Sequence, residues 1–436
     1  MSHLARWMLS AAILLVLLHA SGGARATQEV VRHGPGFHHE EEPGQHIEEP
    51  EALGPTRCQG GSAGPFPCSK VDLLSFMPLS SIGGDGTAHG NDLWGWTDPL
   101  TGREYALMGL TTGTAFVDIT NPEDPLYIGL LPTQTLSSPW LDLKVYKNHA
   151  FIVSEAAGQG MQVFDLKQLR KVGAPPVVFS AVRHYQGNGL STSHNIAINE
   201  KSGFAYVVGT NTCAGGLHMI DIRKPRKPKF AGCFADDGYT HDAQCVSYRG
   251  PDGAYMGKEI CFAANEDTLT IVDVTTKSAP RMLSRTSYSG VSYTHQSWIT
   301  EDQHFLLLDD ELDERNSGHR TRTYVWDIVN LDSPKHIGTY NSKKKTIDHN
   351  QYIRDGFTYQ ANYQGGLRIL DLSEIADGRL REVAFFDVFP GGNRARFNGA
   401  WSVYPFFPSG VVIVSGIEQG LFILQPNLPR QPDVTL

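Results

Sequence analysis

LTIVDV, residues 269–274, is an apolar run closed by an aspartate and one more aliphatic, and the phrase returns along the chain. Upstream stand TAFVDI (114–119), MQVFDL (161–166) and LHMIDI (217–222); downstream stand TYVWDI (323–328), LRILDL (367–372) and LFILQP (421–426). The closing aspartate falls at 118, 165, 221, 273, 327 and 371, with Gln425 in the seventh place, so the intervals are 47, 56, 52, 54, 44 and 54 residues. A period of about 40–55 residues built from short strands is the signature of a β-propeller, one four-stranded sheet per repeat. Seven phrases imply seven blades.

Working outward from an anchor phrase gives a fixed order of strands. SHNIAI (193–198) comes first, then FAYVVGT (204–210), the anchor LHMIDI, and an outer strand PKFAGCF (228–234). The other outer strands read PLYIGLL (125–131), PVVFSAV (176–182), PRMLSRT (280–286), PKHIGTY (334–340) and EVAFFDV (382–388), one fewer in all than the anchors. The seventh blade lacks its own. VDLLSFMPL (71–79) has the same pattern as EVAFFDV, and pairing it into the last blade closes the ring and removes an exposed edge. The expectation is an all-β, seven-bladed propeller over 58–426, a single domain. The anchor aspartates, often followed by Pro, read as turn holders that accept backbone N–H groups.

Residues 1–26 read as a secretory signal peptide: Arg6, an apolar run Leu9–Ala20 too short to span a bilayer, and Ala24-Arg25-Ala26 as a small-x-small cleavage site. Residues 27–57 are acidic and carry His33, His38, His39 and His46 among Pro and Gly, which suggests a disordered arm. Residues 427–436 form a short tail with neither an apolar stretch nor a lipidation cysteine, so release into an extracellular space or retention at a cell surface is expected, without a membrane span. Six cysteines suit an oxidising compartment, and the pairing expected is 58–68, 213–233 and 245–261. The net charge of −9 and the want of a basic stripe argue against a nucleic-acid partner.

GWTDPLTGREYALMG (95–109), FIVSEAAGQGMQVFDL (151–166), SHNIAINEKSGFAY (193–206), GYTHDAQC (238–245), YTHQSW (293–298), DDELDE (309–314), IDHNQY (347–352) and YQANYQGGLRILDL (359–372) together resemble the LVIVD-repeat proteins, specifically the choice-of-anchor B family. The resemblance covers essentially the whole mature domain. It implies an exported or surface-tethered propeller of bacterial type and little biochemistry. Members carry C-terminal anchoring tails; none is legible here, which favours release.

Aligning repeats on their anchors pairs Asn91-Asp92, Leu141-Asp142, His194-Asn195, His241-Asp242, His295-Gln296, His349-Asn350 and Asn398-Gly399 at the start of the first strands. Four consecutive blades thus place a histidine at one position. First strands line the central channel, so these residues should meet around the axis. The second strands return to that face with Glu155, Asn211, Glu266, Asp310 or Glu311, Asn362 and Glu418. Two rings of such donors suit a divalent metal, Ca, Mn or Zn. The candidate ligands are His194, His241, His295 and His349, with Asp92, Asp142, Glu155, Glu266 and Glu418. The same residues also suit hydrogen bonds that pin neighbouring blades, or acid–base chemistry.

DDELDERNSGHRTR (309–322) is an acidic insertion on the histidine face, to be read as a lid, a calcium loop or a solvated connection; it lacks EF-hand spacing. No nucleophile elbow, H-E-x-x-H or phosphate-binding glycine motif occurs. Trp94, Trp96, Trp298 and Trp401 follow the ring positions closely, as packing between blades or as the floor of a ligand pocket. The resulting expectation is a secreted binding or scaffold propeller with a divalent metal at the channel mouth. Its partner would be an extracellular protein, a glycan or a small molecule. The alternative is a metal-dependent hydrolase or lyase acting on a small molecule at that mouth.

Overall fold

The computed structural model describes residues 50–428, so the expected signal peptide, most of the expected arm and most of the tail lie outside the described residues. Seven sheets follow one another along the chain. In the fourth, Asp242–Ser247, Glu259–Ala264, Leu269–Asp273 and Arg281–Thr286 pair antiparallel in sequence order. The first strands of the seven are Gly90–Thr97, Leu141–Tyr146, Asn195–Asn199, Asp242–Ser247, Thr294–Ile299, Gln351–Arg354 and Ala400–Tyr404. Each neighbours the first strand of the next blade, all the way round to Gly90–Thr97.

The inner strands are largely apolar because each blade is covered on both faces. Every residue of Glu104–Leu110 and of Glu259–Ala264 is buried. The core is therefore divided into apolar layers between blades. Among the described residues there are seven such layers, one for each pair of neighbours, including Leu93 and Val117 against Ile413 and Ile423 where the last blade meets the first. Closure is as expected: Val71–Pro78 pairs antiparallel with Gly420–Pro426, with Phe76 opposite Phe422. The two rings lie 4.6 Å apart.

The six anchor aspartates accept, through one side-chain oxygen, the backbone N–H two residues on, at Thr120, Lys167, Arg223, Thr275, Val329 and Ser373. Each fixes the turn that sends the chain towards its outer strand. Gln425 stands in the one blade whose outer strand comes from elsewhere, and no such turn is needed there.

Two expectations are corrected. PVVFSAV does not complete the second blade: Val177–Val178 adds in parallel to Leu126–Pro132 at the edge of the first, and Arg183–Tyr185 closes the second. Phe179 explains the detour, because it drops into the layer between those blades against Phe116 and Phe164. The arm also ends earlier than residue 57. Leu53 and Thr56 exchange backbone hydrogen bonds with Phe76 and Leu73, extending the closing sheet.

The disulfides are Cys58–Cys68, Cys213–Cys233 and Cys245–Cys261, the last joining directly opposed residues of blade four. Each closes a loop whose restriction in the unfolded chain is worth about 3 kcal/mol. No helix among the described residues is long and apolar enough to cross a membrane.

Candidate functional site

The four histidines do converge. Ring centroids of His194 and His241 lie 4.2 Å apart, those of His241 and His295 4.3 Å, and those of His295 and His349 4.3 Å. Each reaches the axis because it sits at the same phase of its blade. Gly209, at φ +59°, lets the second strand of blade three turn away directly beneath His194, where a Cβ would run into that side chain.

All four imidazoles are held in one way. His241 Nδ1 lies 2.9 Å from the His295 carbonyl and His349 Nδ1 2.5 Å from the Trp401 carbonyl. His295 Nδ1 lies 2.8 Å from Asp309 Oδ1 and His194 Nδ1 2.6 Å from Glu155 Oε1. A carbonyl only accepts, so in His241 and His349 Nδ1 donates, and Nε2 is the lone-pair nitrogen of the neutral ring. Asp309 and Glu155, when ionised, accept from Nδ1 of the other two and set the same tautomer. This is the arrangement that orients imidazoles as metal ligands. Burial holds His241 and His349 well below the usual imidazole range, helped by the neighbouring rings, and burial lowers His295 also. His194 differs: burial opposes its charge, but the Glu155 carboxylate outweighs that and raises it.

Glu311 reaches the imidazoles from the start of the acidic insertion. Ligand atoms of His241, His295 and Glu311 all lie within 4.8 Å of one another, a set that can hold a metal ion. Glu311 Oε1 accepts a hydrogen bond from Tyr363 at 2.6 Å and stands 3.6 Å from His349 Nε2. The other candidate carboxylates divide. Glu155 reaches His194, whereas Glu418 accepts from Asn398 Nδ2 at 2.8 Å and the Gly399 amide at 2.9 Å, fixing the entrance to blade seven. Glu266 bridges backbone to backbone with Thr294, and burial raises its carboxyl.

Asp92 and Asp142 lie one layer further along the channel. Lys144 Nζ is 3.0 Å from Asp92 Oδ2 and 2.5 Å from Asp142 Oδ1. Burial drives Asp92 well above the carboxylate range, while burial of Asp142 is outweighed by Lys144, which lowers it. Beside them, burial pushes Asp242 up to about 6.

A further layer along, three residues past six of the seven ring positions, come Trp94, Lys144, Ala197, Gln244, Trp298 and Tyr352. These six line a cavity of about 480 Å³ that opens at the face opposite the histidines, past exposed Glu200, Lys201 and Arg249. Tyr404 and Phe406 add to its aromatic wall, and Trp94 meets Tyr352 and Tyr404 edge to face at 5.5 and 5.0 Å. The histidine end is covered instead. Tyr293, Leu312, Ile347, Tyr363, Phe397 and Trp401 form a buried apolar cap there.

The acidic insertion is not simply solvated. Leu312, Asp313 and Glu314 are buried, and Asp313–Ser317 forms a short helix whose remaining residues are exposed. Asp309, missed as a site residue, orients His295 from within a strand, where an aspartate beside Asp310 gave no sign of its direction.

A family model, described as LVIVD repeat, matches residues 256–287. A search of curated proteins found no match. Among solved structures, the chain is similar to the β-propeller domain of Cps50 (Swd1) from Myceliophteria thermophila, at 10% identity over 74% of this chain and 93% of that one, with a TM-score of 0.47. It is also similar to the computationally designed Ika8 protein, at 11% identity over 77% and 82%, with a TM-score of 0.46. A protein from Lactobacillus plantarum aligns at 14% identity over 75% and 87%, with a TM-score of 0.49. The blade count rests on strand pairing and not on these likenesses. The match at 256–287 covers the last three strands of blade four, including LTIVDV; the choice-of-anchor B assignment goes beyond it. The chain is thus a seven-bladed β-propeller that carries an LVIVD repeat.

Proposed function

We propose that this is an exported binding propeller without catalytic chemistry, closed at one end of its channel by a divalent metal and open at the other to a small molecule or glycan. The observation that carries the reading is the asymmetry of the channel. His241, His295 and His349 are at most 5% exposed beneath an apolar cap, while the opposite end is an aromatic cavity reached from solvent. Two imidazoles and a carboxylate suit Zn ahead of Ca, and a closed donor set suits a structural ion. A metal-dependent hydrolase or lyase needs an ion that substrate can reach, and burial of the donors disfavours it. Three disulfides support export.

The cavity is tested by titrating the mature chain with a glycan and metabolite panel while following tryptophan fluorescence, since Trp94 and Trp298 both line it. The expected result is a saturable ligand whose affinity falls about tenfold in Trp298→Ala, from lost stacking. A panel without a saturable response, or a ligand indifferent to Trp298→Ala, contradicts the reading.

A further inference from the structure

The buried stretch of the acidic insertion holds carboxylate oxygens that no N–H donor and no hydroxyl of the protein reaches. Asp313 is 1% exposed and Glu314 2%. Each has one oxygen engaged: Tyr324 donates to Asp313 Oδ2 at 2.5 Å, and the Arg322 amide donates to Glu314 Oε1 at 3.1 Å. Their second oxygens, Asp313 Oδ1 and Glu314 Oε2, are buried without a hydrogen-bond partner. His319 completes the group. Its Nδ1 lies 3.1 Å from the Arg320 carbonyl, so Nε2 carries the lone pair, 3.6 Å from Asp313 Oδ2. Ligand atoms of the three residues all lie within 4.8 Å of one another. Asp348, 2% exposed and one residue before His349, has both carboxylate oxygens buried and unpartnered as well.

Burying an unpaired carboxylate oxygen is costly, and a bound cation or a captured proton is what removes the cost. We infer that Asp313, Glu314 and His319, with Asp348 beside them, hold a divalent cation of the oxygen-preferring class, Mn²⁺ ahead of Ca²⁺ because one donor is an imidazole. The site lies at the base of the insertion between blades five and six. It is separate from the axial donors and does not depend on their holding an ion. Its cation ties the insertion down at its base, while His319, less buried than the carboxylates, faces the route by which the ion arrives.

The test is titration of the EDTA-stripped mature chain with MnCl₂, read by electron paramagnetic resonance. Glu314→Gln should bind one equivalent fewer than the parent, or bind it at least about tenfold more weakly. His295→Ala should retain that equivalent. A Glu314→Gln variant that binds Mn²⁺ as the parent does overturns the inference, and the carboxyl pair then shares a proton instead. A second measurement uses the unaltered chain, in case the variant does not fold. Arg315 and Arg320 are exposed, so trypsin should cut after them about tenfold more slowly with Mn²⁺ than with EDTA. Equal rates overturn it too.

Discussion

Single residues in this propeller show how burial sets the worth of a charge. Asp98, buried in the turn after the first strand of blade one, takes the Arg170 guanidinium of blade two, with Nε at 2.7 Å. That hydrogen bond, reinforced by the Leu100 amide and Thr101, lowers the Asp98 carboxyl to about 2. A depressed carboxylate stabilises the native state above its unfolded value and loses that contribution as pH falls through its folded value. Arg170→Ala should therefore destabilise the fold at neutral pH, because Asp98 loses its guanidinium partner and keeps only the Leu100 amide and Thr101. The difference from the parent should shrink between about pH 4 and pH 2, measured by urea denaturation with disulfides intact. At the same scale the sequence was a partial guide to the channel. The histidines were legible because equal phase in a repeat means equal position around an axis. Asp92 and Asp142 stand one residue past that phase and were counted with the histidines, but Lys144, two residues beyond Asp142, takes both. Glu311 escaped selection as a ligand because it opens an insertion, where alignment between repeats says nothing about direction.

Strands obey a rule that was on the page but unexplained until packing was seen. Six of the seven outer strands bulge, all but Arg183–Tyr185 of blade two, and the residue just past the bulge is small: Gly129, Gly232, Ser284, Gly338, Ala384 and Ser75. At that point the loop after the next blade's anchor comes in. A Cβ on Gly232 or Gly338 would run into the carbonyl of Lys277 or Gly378. Ser284 and Ser75 instead donate to the Leu331 and Pro122 carbonyls, at 2.8 and 2.7 Å. Ser75 belongs to the N-terminal strand, so the closing blade uses the same joint as the others. Gly232→Val should cost about 3 kcal/mol by forcing blades three and four apart, whereas Ser284→Ala should cost about 1 kcal/mol for one hydrogen bond. Thermal denaturation of the two variants checks the ratio. The wrong placement of PVVFSAV belongs to this scale also. Its pattern announces a strand, but no local signal says which sheet edge it will join, and Phe179 decides by entering a layer between blades.

For the whole molecule, the circular arrangement was legible from the spacing of seven phrases, and from counting one outer strand too few. What the spacing could not supply is the difference between the two ends of the channel. That difference arises from the cap of Leu312, Ile347 and Phe397, side chains outside the repeat that cover one end, while the aromatic wall at the other end stands on repeat positions and is left open. The central claim is that imidazoles contributed by separate blades are held, tautomer fixed, around one ion. A crystal of the mature protein grown with zinc, with anomalous differences recorded on either side of the zinc absorption edge, tests it most directly. The account predicts a peak bonded to Nε2 of His241 and His295 and to a Glu311 carboxylate oxygen, at about 2.0–2.2 Å. Four imidazoles hydrogen-bonded only to protein, with no anomalous peak between them, would contradict it.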